Sequence, residues 1–319
     1  LGDRVYAAPH SFIANLPKFM EAAEAEASHV LLKLGSIDVA PESYVSVKPE
    51  KLFGRHCAIL GATGGGKSWT TARIIEECLR YKTKIILLDA TGEYRGFDGE
   101  HVANFHLGAP VNTAKSSAPC TLPQTSFIES DFIALFEPAG KVQGPKLRAA
   151  IRSLRLAALA PHVATGGIIK KIDQSKVPIM TEEAKAGIAE KLDDPQQAFD
   201  VWKLVSQIEQ ECVYPDGFGS ARGQKDFTKW GGDSGEVSFC LSLMSRINGI
   251  LSSSSFECVF KSKAPALTEK ISSFVSNEDR LLRICLSGVA FEFKAREIVA
   301  NVIGRHLLNM ARNGAFKSR

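Results

Sequence analysis

Residues Gly61-Ala62-Thr63-Gly64-Gly65-Gly66-Lys67-Ser68 fill every constrained position of G-x-x-x-x-G-K-[ST]. That spacing suits the cradling of phosphate oxygens. Backbone N–H groups must approach the oxygens closely, which favours glycine at Gly64, Gly65 and Gly66, and a following helix turns its positive end toward the anion. Lys67 then reaches the β- and γ-phosphates, and the Ser68 hydroxyl is placed to bind Mg²⁺. From average glycine usage the bare pattern arises in roughly 1% of chains this long, so a plain glycine turn is the weaker reading. Two carboxylates follow in Asp89-Ala90-Thr91-Gly92-Glu93-Tyr94. Ligands of open α/β sheets sit beyond the carboxyl ends of strands, so Asp89 and Glu93 are expected beside the nucleotide, holding magnesium through water or orienting the attacking water. The competing reading is a turn aspartate and a surface glutamate.

Such groups need rigid supports. His56-Cys57-Ala58-Ile59-Leu60, bounded by glycines, predicts a short strand; Lys67 to Tyr81 predicts a helix, and Lys84 to Asp89 a second strand. Strand, glycine loop, helix and strand make a βαβ unit whose continuous apolar strands are those of a parallel sheet buried on both faces. Leu281 to Leu286 predicts a third such strand, and Lys294 to Arg312 its helix. Between them, Phe132 to Phe274 is mostly helical in pattern, broken at Pro138-Ala139-Gly140, Thr165-Gly166-Gly167 and Pro215-Asp216-Gly217, and reads as an insertion into an α/β domain. Upstream, Glu21 to Ala27 reads as a solvated helical face and Val30 to Gly35 as a short strand or a turn of helix.

Composition sets outer limits. The 319 residues, 45% hydrophobic and 23% charged, allow one large domain or a core plus an insertion and exclude collagen-like and wholly disordered chains. Lys+Arg 39 against Asp+Glu 35 leaves +4, too mild to mark a nucleic-acid binder by bulk charge, so any basic surface must be local. The 7 cysteines are odd in number, scattered and without a C-x-x-C pair, which argues against a disulfide framework or zinc site and fits a reducing cytoplasm. There is no H-x-x-x-H pair and no apolar run of membrane-spanning length, and the first residues printed lack the basic start and apolar centre of a signal peptide. The first residue is Leu1, so the natural start is expected further upstream.

Local basic candidates exist. Arg148, Arg152 and Arg155 fall at i, i+4 and i+7, a basic stripe on a helix whose apolar face carries Leu147, Ile151 and Leu154. Phosphate contacts in a pore are one use for it; a solvated face or subunit contact is the other. Lys170 and Lys171 form a similar loop candidate. Trp69 and Trp202 read as packing anchors rather than base-stacking platforms.

The segments GRHCAILGATGGGKSWTTARIIEE and IILLDATGEYRG resemble the HerA branch of the HerA/FtsK superfamily, hexameric RecA-like motor ATPases that pump double-stranded DNA. Glu137 to Arg148, Leu243 to Ile247 and Ile284 to Gly288 agree with it, and the resemblance covers roughly 50 to 319. It implies a RecA-like P-loop ATPase core, α/β with a mostly parallel sheet and a large helical insertion. The core is expected at 51–135 and 236–319, the insertion at 136–235, and at 1–50 a remnant of, or linker from, a β-barrel domain. It implies ATP and Mg²⁺, with nucleotide held by Gly61, Thr63, Gly64, Gly65, Gly66, Lys67, Ser68 and Trp69, and catalysis by Lys67, Asp89, Glu93 and Arg55. Arg55 occupies the position from which family members present an arginine to the neighbouring subunit's γ-phosphate; Arg246 is a second choice. The implied partners are further copies of the chain in a hexamer, double-stranded DNA, and a nuclease or defence effector. The family continues past the strand at 281–286 into a Walker B strand with acidic residues, which are expected beyond Arg319.

A nucleotide-binding ring that organises an effector without pumping DNA is the alternative. An ordinary P-loop kinase or GTPase is disfavoured, since no N-K-x-D guanine signature occurs and a small kinase has no need of the helical insertion.

Overall fold

A computed structural model describes residues 6–13, 30–38, 40–219 and 223–316. The helical face expected at Glu21 to Ala27 lies outside them. Four parallel strands make the central sheet, in the order β3 (Ile85–Asp89), β8 (Leu281–Gly288), β4 (Val102–Gly108) and β5 (Ala118–Pro119). Before it comes an antiparallel hairpin, β1 (Leu32–Ile37) and β2 (Ala40–Val47), and within the helical region a two-residue ribbon, β6 (Gly217–Phe218) and β7 (Lys225–Asp226). The longer helices are α1 (Lys67–Leu79), α2 (Glu129–Phe136), α3 (Gly140–Leu159), α4 (Leu204–Glu211), α5 (Val237–Ser252), α6 (Leu267–Ser276) and α7 (Ala295–Arg312).

Two-residue periodicity assigns the faces of the sheet. Leu282, Ile284 and Leu286 of β8 join Ile86, Leu88, Phe105 and Leu107 of its neighbours in one apolar core, which also contains Phe136 of α2, Ile151 of α3, Ile208 of α4, Ile247 of α5 and Val299 of α7. Sheet and helical region therefore share one main core, beside a smaller cluster of Leu156, Ile169, Ile179 and Leu192 within the helical region. Arg283 and Cys285 turn to the opposite face, where the register sets Arg283 between Leu87 and Asn104, and Cys285 between Asp89 and His106. The chain is thus α/β with a mostly parallel sheet, as expected.

The strands at 85–89 and 281–288, with helices from 67 and 295, fall where apolar runs and helical composition put them. Two elements differ. His56 to Leu60 is not a strand; Leu60 is 90% exposed, and no described residue supplies the ladder partner that a strand requires. Instead β4 fills the sheet. Its Asn104 and His106 broke the apolar run that marks a buried strand, but both are buried with partners from the segments on either side of β4: the Asn104 amide donates to the Phe97 carbonyl and the Ser116 hydroxyl, and His106 Nδ1 pairs with Ser117 Oγ at 3.0 Å.

The hairpin is fastened to α1 through one buried carboxylate. Glu77 accepts from the Lys33 backbone N–H at 3.0 Å and pairs with Arg73 at 2.7 Å and Arg80 at 3.2 Å. A carboxylate buried this deeply requires such compensation, and meeting it fixes the helix that carries Lys67.

Candidate nucleotide site

The glycine loop enters α1 without a side-chain cap. Gly66 is the N-cap at φ 79, Gly64 lies at φ 78, and a Cβ on either would meet no atom within 4 Å. Positive φ favours glycine at both positions, and the open space leaves a concave backbone surface. The first turn of α1 holds no acidic residue, so its N–H groups and the positive end of the helix dipole stay available to an anion. Lys67 Nζ donates to the Gly61 carbonyl at 3.0 Å and the Ala62 carbonyl at 2.7 Å, which places the ammonium at the base of the loop. Gly61, Thr63 and Gly65 are exposed along the same loop. These residues fit a triphosphate.

Ser68 Oγ donates to Glu93 Oε2, so the loop and the end of β3 converge on one point. The hydroxyl and the carboxylate are hard oxygen donors of the kind that suit a magnesium ion, which Ser68 and Glu93 would hold together with phosphate oxygens and water. Glu93 is exposed and turned toward the phosphate loop.

Asp89 is placed differently. It is 1% exposed, and its oxygens accept from the backbone N–H groups of Gly92 at 2.8 Å, Glu93 at 3.2 Å and Tyr94 at 3.0 Å. It also pairs with the fully buried Arg283, whose Nη2 lies 2.7 Å and Nε 2.8 Å from Oδ2. The expectation that Asp89 faces nucleotide or metal is therefore corrected: a carboxylate with three N–H donors and a guanidinium organises the turn that aims Glu93. Arg283 was not anticipated. Its signal lay in Leu281-Leu282-Arg283-Ile284-Cys285-Leu286, because a charge inside a buried strand demands a carboxylate partner at the same depth. Gly92 fits the turn at φ 81; a Cβ there would lie 2.5 Å from Asn112 Cβ and 3.3 Å from Ser287 Oγ. Arg283 Nη2 also donates to the Asn112 carbonyl at 3.2 Å.

Arg55 is exposed and has no hydrogen-bond or ion-pair partner among the described residues. Arg246 is occupied, donating to the Glu137 carbonyl at 3.1 Å and pairing with its carboxylate at 3.2 Å. The Lys294 ammonium, hydrogen-bonded to Glu137, holds that carboxyl below the usual range, with Arg246 adding to the effect.

The basic stripe on α3 does not form a free face. Arg155 is 4% exposed, donating to the Leu192 and Pro195 carbonyls and pairing with Glu129. Arg152 pairs with Asp193 at 2.6 Å and Arg148 with Glu129 at 3.6 Å. The helical pattern gave α3 one apolar face, but the segment 183–195 covers the arginine side as well. Lys171 is likewise drawn inward, 2.6 Å from Glu211 and over the Trp230 ring, whereas Lys170 stays exposed. Neither Arg155 nor Lys171 is open to DNA. Trp69, 82% exposed, and Trp202, 48% exposed, are not packing anchors.

A family model described as helicase HerA, central domain, matches residues 32–206, more than half of the 319 residues, from the hairpin through the phosphate loop and the carboxylate turn to α4. The chain belongs to this family. The chain is also similar to the probable helicase MJ1565 of Methanocaldococcus jannaschii, 38% identical over 64 residues, which cover 20% of this chain and 12% of that one. The match spans about an eighth of that relative's length. Family membership supports an ATPase of helicase type. Among the described residues, no helix is long and apolar enough to cross a membrane, and no cluster of three or more His, Cys, Asp or Glu forms a metal site.

Proposed function

We propose that this HerA-family chain is the motor subunit of a hexameric ring that hydrolyses ATP to move double-stranded DNA, serving a partner nuclease or defence effector in the cytoplasm. The observation that carries the reading is the convergence of Lys67, the uncapped helix start and the Ser68–Glu93 pair on one exposed loop. The loop N–H groups and Lys67 bind the triphosphate, neutralising the β- and γ-phosphates. Glu93 orients the attacking water and accepts its proton as the new P–O bond forms and the bond from the γ-phosphorus to the β–γ bridging oxygen breaks, giving ADP and phosphate. Ser68 would hold Mg²⁺, which when bound supplies positive charge for the departing ADP. Arg55, supplied by a neighbouring copy, stabilises the charge that spreads over the transferring phosphoryl group. Seven free thiols support a reducing compartment.

Steady-state ATP turnover with and without linear double-stranded DNA tests this. The motor reading requires stimulation by DNA that disappears in Lys67→Ala. Turnover indifferent to DNA would favour the ring as an organiser of its effector.

A further inference from the structure

The helical region carries an apolar patch on its surface. Phe218 of β6 and Phe227, which follows β7, are 74% and 69% exposed, while Val177 and Met180, one turn apart on the short helix Val177–Glu183, are 53% and 60% exposed. Backbone hydrogen bonds bring ribbon and helix together. The Lys176 N–H donates to the Thr228 carbonyl at 2.8 Å, the Trp230 N–H to the Gln174 carbonyl at 3.0 Å and the Gly217 N–H to the Lys229 carbonyl at 3.0 Å. Trp230 in turn packs against the smaller apolar cluster of the helical region. The platform is thus fixed before anything binds it, which lowers the ordering cost of association. Single exposed apolar side chains are ordinary, but four large ones gathered on one platform, with aromatic rings and a methionine among them, have the composition of an interface core.

Charges around the patch are sorted by depth. Lys225 lies opposite Phe218 in the ribbon, Lys229 follows Phe227 by two residues, and both lysines are exposed. Their acids are partly buried and engaged elsewhere. Asp216 pairs with Lys176 at 3.2 Å, and Asp226 accepts from the Thr228 N–H at 2.9 Å and the Thr228 hydroxyl at 2.6 Å, which leaves only loose contacts of 3.7 Å to Lys225 and 3.8 Å to Lys229. We propose that this patch docks an acidic, apolar segment of a partner protein. The segment's apolar side chains cover Phe218, Phe227, Val177 and Met180, and its carboxylates meet Lys225 and Lys229 at the rim, where charge steers association and fixes register. A single-stranded nucleic acid would also answer to the lysines, but Val177 and Met180 offer no ring on which a base can stack. A methionine, by contrast, adapts readily to the side chains of a peptide. None of these residues belongs to the nucleotide site, so the inference depends on neither ATP turnover nor the ring.

Fluorescence anisotropy with the full chain tests this. The probe is a fluorescein-labelled synthetic helix with leucine and phenylalanine on one face and glutamate on the other, compared with a helix carrying lysine in place of glutamate and with a labelled oligothymidine. The glutamate helix is expected to bind about tenfold or more tighter than the lysine helix, and to lose about tenfold or more in Phe218→Ser/Phe227→Ser. Lys225→Glu/Lys229→Glu should weaken it as well, and added salt should weaken binding to the parent chain. All four positions are exposed, so circular dichroism of both variants should match that of the parent. No binding of the glutamate helix by the folded parent, or equal binding by parent and Phe218→Ser/Phe227→Ser, overturns the proposal. Oligothymidine bound more tightly than the glutamate helix, and lost in the same variants, would make the patch a nucleic-acid surface. An oligomer that falls apart in Phe218→Ser/Phe227→Ser by light scattering would give the patch to a second copy; either outcome defeats the proposal.

Discussion

Lys67 and Asp89 show how differently two charged residues of one site are employed. Lys67 opens α1 at the end of the glycine loop with only backbone carbonyls as partners, so its charge is at the disposal of a ligand. Asp89 is enclosed, and its charge is consumed by the turn and by Arg283. Truncating one member of a buried pair leaves the other charge uncompensated, at a cost of about 3–5 kcal/mol. Asp89→Asn and Arg283→Met are each expected to destabilise the chain by that order. The double variant Asp89→Leu/Arg283→Met should lose less than the sum of the corresponding single changes, because no buried charge remains. Urea unfolding of the four proteins in that cycle measures the coupling, and strict additivity would remove Arg283 as the organiser of the Glu93 turn.

At the scale of elements, the close approach of β4 and β8 at their carboxyl ends is the tightest constraint. A Cβ on Gly288 would lie 1.9 Å from the Ala109 carbonyl oxygen, and one on Gly108, at φ 76, would lie 2.4 Å from the Gly288 oxygen. These contacts are with backbone, which has little room to yield. Gly288→Ala is therefore expected to cost at least the about 1–3 kcal/mol typical of overpacking, read as a lower urea midpoint. The same strand supplies a pH response. Burial pushes the imidazoles of His106 on β4 and His306 on α7 below the usual histidine range. The unfolded chain titrates near about 6.5, so below that pH it takes up protons that the folded chain refuses. Stability from these two groups is full above about 6.5 and declines as pH falls toward their folded values. Urea midpoints at pH 7.5 and 5.5 should differ in that sense, and the difference should shrink in His306→Asn.

Much of this was legible in the residues. Continuous apolar runs gave β3 and β8, and the glycine loop gave the start of α1, because those patterns answer to local rules. The strand β4 was hidden, since its polar residues find partners in the flanking segments, at Phe97, Ser116 and Ser117. The arginines of α3 looked free because helical periodicity reports one face at a time and says nothing of what a distant segment lays over the other. Arg283 was visible as a charge in an apolar strand, but its partner Asp89 stands 194 positions earlier.

At the scale of the molecule, the argument turns on what a second copy adds. Arg55 has no role within its own described surroundings, so Arg55→Ala should leave nucleotide binding intact and lower turnover in assembled rings by about 10³–10⁵-fold. Mixed rings of Arg55→Ala and Lys67→Ala chains should recover single-turnover hydrolysis that neither shows alone, because some interfaces then join an intact arginine to an intact phosphate loop. Normal turnover by Arg55→Ala rings would make Arg55 a surface cation. Beneath these expectations lies one claim, that the loop at 61–68 holds a nucleoside triphosphate through Lys67. Equilibrium binding of a fluorescent ATP analogue to the full chain and to Lys67→Ala, with far-ultraviolet circular dichroism confirming the fold of both, tests it most directly. Loss of hydrogen bonds to a charged group, worth about 1.5–3 kcal/mol, predicts binding weakened by about 10- to 150-fold; equal affinity in a folded Lys67→Ala chain would contradict the account.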